Sequence, residues 1–474
     1  MPKTLSNGMT QMPDPADLIQ NDQGQEARAI HLVDAKSFEA WLNAQPARHR
    51  AAIDALCFKP KAFAYAILPS DAPEDWSAVA SVADAGELSS WCLAKLAEVL
   101  PGGTYRLREG DPGPAMFGWM TAQYRFERYR KPKEDKAPRI LLTRQPSMKD
   151  ALAAQARATN LVRDLVNTPA EDMGPDAFEE AAASLAAKYG ATLKVTRGDA
   201  LAEGFPMVHA VGRAASRDHA PRMIEMHWGR DEHPRIAIVG KGVTFDSGGL
   251  DIKPSSAMRL MKKDMGGGAH ALALGSLIME AGLPVRLHLL IPLAENAIGG
   301  NAFRPGDILR ARNGTQVEIT NTDAEGRLLL ANALVRAGED NPELIIDFAT
   351  LTGAARAALG PDLPALFVND DSLADALMTA GTDTNDPLWR LPLWPHYDDM
   401  LKSDVADLAN SAEGGFAGAI TAALFLQRFV PKSVQWAHLD TFAWRPTAKP
   451  GRPKGGDALG LRAADAMLRA RFGR

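Results

Sequence analysis

The chain has 474 residues, of which 46% are hydrophobic and 23% are charged, and its formal net charge is −5. A chain of this length can form two or three domains, and its slightly acidic charge gives no reason to expect nucleic acid or an anionic membrane as the main partner. The two cysteines, Cys57 and Cys92, support neither a disulfide framework nor a thiolate metal site. Residues 1–15 lack the apolar core of a signal peptide, and no apolar stretch is long enough to span a membrane, so we expect a cytoplasmic protein.

The N-terminal third predicts a small domain without catalytic residues. Residues 1–30 are polar and poor in periodicity, which is typical of a flexible segment. Residues 31–150 contain no cluster of ligand-type side chains, and we interpret them as an N-terminal α/β domain. Its predicted elements are helices over residues 34–45 and 75–100 and strands over residues 62–68 and 139–143. A helical pattern over residues 147–167 predicts a connecting helix, which we place at 151–170.

The rest of the chain, residues 171–474, predicts a larger α/β domain. Strands alternate with helices along it, and this alternation favours a largely parallel central sheet flanked by helices. The predicted strands cover residues 236–239, 286–291, 317–320 and 344–348, and the predicted helices include residues 269–281 and 328–338. In such folds ligands bind at the junctions between the ends of strands and the following helices, at one edge of the sheet.

One octapeptide, Asn321-Thr322-Asp323-Ala324-Glu325-Gly326-Arg327-Leu328, lies between a predicted strand and a predicted helix. Asp323 and Glu325 are two positions apart in a locally extended segment, so their side chains point to one side. Two carboxylates so close repel each other unless a cation lies between them. The same two residues are also typical of a capped helix start, and the octapeptide alone does not decide between these interpretations.

Further candidate residues follow the first predicted strand of this domain. Lys241 stands between two glycines, Asp246 precedes a Gly-Gly pair, and Lys253 precedes a proline that keeps it extended. Asp264 precedes a glycine run that opens a helix. Taken singly, Lys241 could be an exposed turn lysine and Asp264 a plain helix cap. A phosphate cradle is disfavoured because the order G-x-x-x-x-G-K-[ST] is missing.

Together, Asp246, Asp264, Asp323 and Glu325 place four carboxylates at strand–helix junctions of one predicted parallel sheet. Two divalent ions would balance them, and oxygen ligands without cysteine or clustered histidine indicate Zn²⁺, Mn²⁺ or Mg²⁺. Two metals ~3.5–4 Å apart are a common device for activating water. The chain has no H-E-x-x-H motif and no G-x-S-x-G elbow, and we interpret His438 as a core histidine.

These motifs resemble the leucyl aminopeptidase (cytosol aminopeptidase) family over roughly residues 150–470. The resemblance rests on residues 239–255, on the octapeptide 321–328 and on Ala349-Thr-Leu-Thr-Gly-Ala354. Shorter matches are Asn167-Thr-Pro-Ala170, Ala294-Glu-Asn296, Arg304-Pro-Gly-Asp307 and Ala417-Gly-Ala-Ile-Thr-Ala422. It implies a homohexamer of metal-dependent aminopeptidase subunits that release N-terminal amino acids, leucine-like ones by preference, from peptides with a free N-terminus.

The resemblance also implies residue roles. Two divalent ions per subunit would be held by Lys241, Asp246, Asp264, Asp323 and Glu325, with Asp246 and Glu325 bridging both ions. Lys241 would bind as a neutral amine, which costs roughly 4–5 kcal/mol at pH 7 and needs the neighbouring dications as an offset. Lys253 would polarise the scissile carbonyl, and Arg327 would hold a bicarbonate that acts as general base. Substrate-pocket positions would be Met261, Asn321, Thr350, Leu351 and Gly353.

The chain departs from the family pattern at two places, since Asn332 replaces a usual aspartate and Phe416 replaces an arginine or a small residue. Two other functions stay open at this stage. A two-metal phosphoesterase would release phosphate from generic esters, and the lysine roles make it less favoured. A scaffold that has lost catalysis would leave dipeptides uncut at saturating metal, and the presence of Lys253 and Arg327 argues against it.

Overall fold

The computed structural model describes residues 13–72, 75–130 and 137–473, and the chain divides into two compact units. The first unit comprises Met1–Asn160 with Thr447–Lys454, and the second comprises Leu161–Pro446 with Gly455–Arg474. The boundary falls within the long helix Pro146–Asn167, so the helix predicted at 151–170 contributes residues to both units. Among the described residues, no helix is both long enough and apolar enough to cross a membrane.

The first unit is built on a six-stranded sheet in the spatial order β1-β6-β5-β2-β4-β3. The pairing is parallel except between β3 and β4, and the core contains Tyr105, Phe117 and Trp119. The strands are β1 (Ile19–Asn21), β2 (Arg28–Val33), β3 (Tyr65–Pro69), β4 (Trp76–Ser81), β5 (Gly103–Leu107) and β6 (Arg139–Thr143). The helices are α1 (Phe38–Asn43), α2 (Ala47–Ala55), α3 (Ala94–Val99), α4 (Ala115–Thr121) and the start of α5 (Pro146–Asn167).

Two predictions for this unit were wrong. Residues 1–30 were expected to be flexible, but β1 pairs with β6 and buries Ile19 completely; residues 1–12 lie outside the described part of the chain. Residues 75–100 were expected to be one helix, but they begin with β4, which is enclosed between β2 and β3. Its last four residues are all buried, and a strand buried on both faces loses the alternation that distinguishes it from a helix.

The second unit contains the larger sheet, and its elements begin after α5. The strands are β7 (Thr192–Arg197), β8 (Arg222–Trp228), β9 (Arg235–Gly240), β10 (Gly242–Asp246), β11 (Arg286–Asn296), β12 (Ile308–Arg310), β13 (Gln316–Glu318), β14 (Leu344–Ala349), β15 (Ala365–Val368), β16 (Trp389–Arg390), β17 (Leu408–Ala409), β18 (Gln435–Asp440), β19 (Trp444–Arg445) and β20 (Gly455–Gly456). The helices are α6 (Pro175–Tyr189), α7 (Gly198–Gly204), α8 (Pro206–Gly212), α9 (Ser255–Met258), α10 (Gly266–Glu280), α11 (Gly326–Gly338), α12 (Gly353–Leu359), α13 (Asp371–Asp383), α14 (Gly418–Gln427) and α15 (Leu461–Phe472).

The order of the large sheet is β16-β15-β18-β14-β9-β11-β8-β7, with β10 also paired to β11. The four central strands, β18, β14, β9 and β11, are mutually parallel, whereas β8 and β7 add an antiparallel edge. Helix α11 packs with α8 and α14, and α10 packs with α6 and α15. The predicted mixed α/β fold with a largely parallel central sheet is therefore confirmed.

One strand lies elsewhere than predicted. The strand before the octapeptide, β13, belongs to a separate three-stranded sheet with β12 and β17 rather than to the central sheet. A short alternation of apolar and polar residues predicts a strand but not the strand with which it pairs. Here β13 pairs with β12, about ten positions upstream, and with β17, about ninety positions downstream.

The start of α10 lies unusually close to the central sheet. A Cβ placed on Gly267 would stand 2.2 Å from the carbonyl oxygen of Phe348, and one on Gly240 would stand 2.6 Å from the carbonyl oxygen of Gly267. Only glycine permits backbones to approach in this way. The glycine run thus brings the segment just before α10 against the ends of β9 and β14.

Candidate metal centre and active site

The predicted site residues converge at one edge of the large sheet. Lys241 directly follows β9, Asp246 ends β10, Asn296 ends β11 and Thr350 directly follows β14. These are carboxyl ends of neighbouring parallel strands, where ligands bind in open α/β sheets. The prediction that Asp264 also follows a strand was wrong, because it lies in the 3-10 helix Met261–Met265.

Lys241 forms buried ion pairs with two of the carboxylates, Asp264 and Glu325. Its Nζ lies 2.6 Å from Asp264 Oδ2 and 3.0 Å from Glu325 Oε1, and it donates to the carbonyl oxygen of Thr350 at 3.1 Å. The side chains of Lys241, Asp264 and Glu325 are all at least 96% buried. An exposed turn lysine is therefore excluded for Lys241, and a plain helix cap does not describe Asp264.

Lys253 bridges the other two carboxylates. Its Nζ lies 2.8 Å from Asp246 Oδ2 and also contacts Asp323 Oδ1. Asp246 is held from its other side, since its Oδ1 accepts hydrogen bonds from the backbone N–H of Gly248 and from Asn296 Nδ2, each at 2.9 Å. The four carboxylates and two lysines form one connected cluster of charges.

The carboxylate oxygens fit a metal centre better than a closed ion-pair network. Ligand oxygens of Asp246, Asp323 and Glu325 all lie within 4.8 Å of one another. Both oxygens of Glu325, Oδ2 of Asp264 and Oδ1 of Asp323 are buried and have no aligned hydrogen bond within the described part of the chain. Buried carboxylate oxygens without hydrogen bonds are costly. Divalent cations with hard or borderline character satisfy such oxygens.

The pKa values show how strongly negative charge is concentrated here. Burial, followed by the nearby Asp246 carboxylate, raises the pKa of Glu325 to about 8 and that of Asp323 to about 6. Burial disfavours the ammonium of Lys241, but the surrounding carboxylates, first of all Asp264, raise its pKa above the ordinary value. The same opposition of burial and carboxylates raises the pKa of Lys253. In this arrangement the two ammonium groups supply the positive charge that the carboxylates require.

Arg327 is a buried cation at the C-terminal end of the octapeptide. It is 7% exposed, its Nη1 donates to the carbonyl oxygen of Asn410 at 2.7 Å, and its Nε has no hydrogen-bond partner among the described residues. Burial lowers the pKa of Arg327 to about 10, which still leaves the guanidinium charged at neutral pH. A buried guanidinium with a spare donor can bind a small planar anion.

A cavity of about 360 Å³ opens onto this cluster. Such a volume suits a small ligand or one residue of a peptide. All five predicted substrate positions line it, together with both lysines and Arg327: Met261, Asn321, Thr350, Leu351 and Gly353. Glu325 lies beneath the lining. The two departures from the family pattern do not line the cavity, since Asn332 is buried in α11 and Phe416 is 84% exposed.

Sequence reasoning missed residues that hold the cluster in place. Asn296 donates to Asp246 and to the carbonyl oxygen of Thr322, which connects β11 to the octapeptide loop. Lys263 lines the cavity, and burial lowers its pKa to about 8. Asp440 accepts hydrogen bonds from the backbone of Leu351 at the cavity wall. Only Asn296 carried a signal, because it ends the Ala-Glu-Asn segment of the family resemblance.

His438 is the core histidine that the sequence predicted. Its Nδ1 lies 2.5 Å from Asp347 Oδ1, and its ring stacks with Phe367 and Trp436 inside the sheet. Burial opposes its charge, but the Asp347 carboxylate raises the pKa of His438.

Comparison with known proteins relates both parts of the chain to one family. The family described as "Cytosol aminopeptidase family, catalytic domain" matches residues 160–464, and "M17 aminopeptidase, N-terminal domain" matches residues 28–142. A protein named probable cytosol aminopeptidase from Syntrophotalea carbinolica is 41% identical over 360 residues, covering 73% of this chain and 72% of the relative.

Solved structures agree with this relationship. The cytosol aminopeptidase from Coxiella burnetii is 44% identical with a TM-score of 0.90, covering 96% of this chain and 100% of its own. The bottromycin maturation enzyme BotP in complex with Mn is 34% identical with a TM-score of 0.83, covering 94% of this chain and 100% of its own. By its sequence, its fold and the cluster described above, the chain belongs to the cytosol aminopeptidase family of metal-dependent aminopeptidases.

Proposed function

We propose that this aminopeptidase removes leucine-like residues from the free N-terminus of peptides by two-metal hydrolysis. The observation that carries the proposal is that carboxylate oxygens of Asp246, Asp323 and Glu325 lie within 4.8 Å of one another, beside a cavity of about 360 Å³. The neighbour solved in complex with Mn supports manganese as one such ion.

In this proposal five residues hold the two ions: Lys241, Asp246, Asp264, Asp323 and Glu325. Bound divalent ions would polarise the peptide carbonyl and lower the pKa of a water molecule. Lys241 is protonated when its charge partners are Asp264 and Glu325 alone, so it must lose a proton to become a ligand. Binding therefore releases protons and weakens as the pH falls.

Two cations of the chain would act directly on the reactants. Lys253 lines the cavity and contacts Asp246 and Asp323. With these carboxylates engaged by divalent ions, its ammonium would be available to stabilise a developing oxyanion. Arg327 would hold a bicarbonate as general base. Its buried, partly unpaired guanidinium supports that role.

The cavity wall supports the preference for a leucine-like residue. Met261, Leu351 and Gly353 line it without introducing a charge, so an aliphatic side chain would be buried there. Asn321 and Thr350 are the nearby polar groups, positioned to orient a peptide. The carboxylates on the far side favour the positive charge of a free α-amine over a blocked N-terminus.

The family resemblance also leads us to propose a homohexamer located in the cytoplasm. The relatives named cytosol aminopeptidase support this location. Light scattering on the purified protein tests the assembly directly, because a monomer or dimer at working concentration would contradict it.

The decisive experiment is hydrolysis of a leucine anilide by protein that has been stripped of metal and then supplied with Mn²⁺ or Zn²⁺. We expect activity to disappear with the metal, to return with it, and to be absent on the N-acetylated substrate. The Glu325→Gln variant should be inactive while still folded. Uncut dipeptides at saturating metal would instead favour a scaffold, and phosphate release from a panel of esters would favour a phosphoesterase.

A further inference from the structure

A second cluster of ligand-type side chains lies on β8 and β11, far from the cavity. Glu225 and His227 are two residues apart on β8 and so share one face of the sheet, and His288 on β11 pairs directly with His227. One ligand atom from each of the three lies within 4.8 Å of the other two. The two imidazole rings stack with centroids 4.2 Å apart.

The cluster contains buried polar atoms that have ion-pair contacts but no aligned hydrogen bonds. His288 is 5% exposed and Glu225 is 1% exposed. Neither ring nitrogen of His288, and not Oε2 of Glu225, has an aligned hydrogen bond from any residue that the structure describes. Such atoms are rare in native proteins because a buried donor or acceptor without a hydrogen bond destabilises the fold by about 1–3 kcal/mol. Within the described residues each of these atoms has an ion-pair contact without hydrogen-bond alignment, and a metal ion placed between them would satisfy them better.

A further carboxylate occupies the position typical of a second coordination sphere. Asp340, just after α11, places Oδ2 2.9 Å from His288 Nδ1, while His288 Nε2 faces Glu225 at 3.4 Å. Histidines that bind metals commonly direct their other ring nitrogen to a carboxylate, which fixes the tautomer and orients the ring. Two imidazoles and one carboxylate form a familiar ligand set for zinc-type ions.

Two cations also approach this cluster, and they differ in mobility. Arg336 is 17% exposed and is held between Glu225 Oε1 at 2.7 Å and Asp340 Oδ1 at 3.1 Å. Lys194 lies 3.3 Å from Glu225 Oε2, but its side chain is 64% exposed and can move into solvent. Among the described residues, Glu225 Oε2 is thus paired with a solvent-exposed ammonium that an incoming ion can displace.

We propose that Glu225, His227 and His288 bind one zinc-type divalent ion, with Asp340 orienting His288. The ion would connect β8 and β11 and join both to the end of α11. The site is separate from the catalytic centre, because His288 precedes Asn296 by eight residues of extended strand, about 26 Å. It does not depend on the proposed catalytic mechanism.

Metal stoichiometry tests the proposal on the intact protein. The wild type and the His227→Ala variant are equilibrated with Zn²⁺, freed of excess ion and measured by elemental analysis. We expect the variant to lose about one zinc per subunit and to keep its leucine anilide activity. His396→Ala is the matched control, because His396 is an exposed histidine outside the cluster and its removal should not change the stoichiometry. Equal zinc content in all three proteins would overturn the proposal.

A second variant does not disturb the buried groups. Lys194→Ala removes the ammonium that competes for Glu225 Oε2, so Co²⁺ binding, followed by the visible absorption of the histidine-bound ion, should tighten roughly two- to fivefold. Because the catalytic centre can also bind Co²⁺, the signal is read as the difference from the His227→Ala variant, and a purely structural ion-pair network predicts no such difference. Anomalous diffraction at the zinc edge from wild-type crystals gives a direct answer: a peak between Glu225, His227 and His288 supports the site, and a flat map there refutes it.

Discussion

Gly326 offers the sharpest test of the proposed metal centre because it touches the site without carrying a functional group. It is the first residue of α11 and directly follows Glu325. A Cβ at this position would stand 2.2 Å from Lys241 Cε, 2.6 Å from its Nζ and 2.7 Å from its Cδ. Gly326→Ala should therefore push the amine of Lys241 away from Asp264 and Glu325.

The size of the effect follows from these distances. Non-bonded carbons come no closer than about 3.5 Å without strain, so the end of Lys241 must move by more than about 1 Å. Its side chain is 3% exposed and its amine contacts Asp264 and Glu325, so the movement would disrupt these two contacts. A displacement of ~1 Å in a catalytic constellation costs about 100-fold in rate, or about 2.7 kcal/mol. The helix itself should tolerate alanine, which favours helical backbone by up to ~1 kcal/mol over glycine.

The assay is kcat/KM on a leucine anilide at saturating Mn²⁺, with bound metal and melting temperature measured on the same samples. Gly300→Ala is the matched control, since a Cβ there meets no atom within 4 Å. We expect the control to match the wild type and Gly326→Ala to lose about 100-fold with the fold intact. Wild-type activity and metal content in a folded Gly326→Ala variant would refute the assignment of Lys241.

Three further predictions follow from the contacts of single residues. Lys253→Met should lower kcat by about 10²–10³-fold with a smaller change in KM, as expected for an oxyanion-stabilising group; an unchanged kcat would contradict this role. Asn296→Ala removes the amide that orients Asp246, so metal affinity measured against a competing chelator should fall about 10–100-fold; unchanged affinity would show that Asn296 is not needed to position this ligand. In the first unit, hydrogen bonds from the backbone N–H of Ala85 and others lower the pKa of Asp34 to about 2. Because this folded-state pKa lies below the ordinary value, the stabilising effect is complete above that value and is lost as the pH falls towards 2. The melting temperatures of wild type and Asp34→Ala should thus differ at neutral pH and converge in acid, and a constant difference would contradict the reasoning.

The sequence by itself determined the features that depend on neighbouring residues. Alternation of strands and helices after residue 170 indicated the parallel sheet, and the strand Arg139–Thr143 and the helix Gly326–Gly338 were predicted within two residues at each end. The spacing within the octapeptide 321–328 indicated that its two carboxylates can face one ligand, and the family resemblance added the role predicted for Arg327. The residue types then favoured Zn²⁺, Mn²⁺ or Mg²⁺.

The tertiary structure decided what depends on distant partners. Residues 76–81 form a strand because they are enclosed between two others, and burial on both faces removes the periodicity that would have revealed it. Asp246 and Asn296 meet only because β10 and β11 are neighbours. His227 and His288 are 61 positions apart in the chain and come together through antiparallel pairing. The charges around a side chain and the hydrogen bonds that it makes depend on groups brought together by folding. The shifted pKa values at the proposed metal centre, and the second cluster, therefore became visible only in three dimensions.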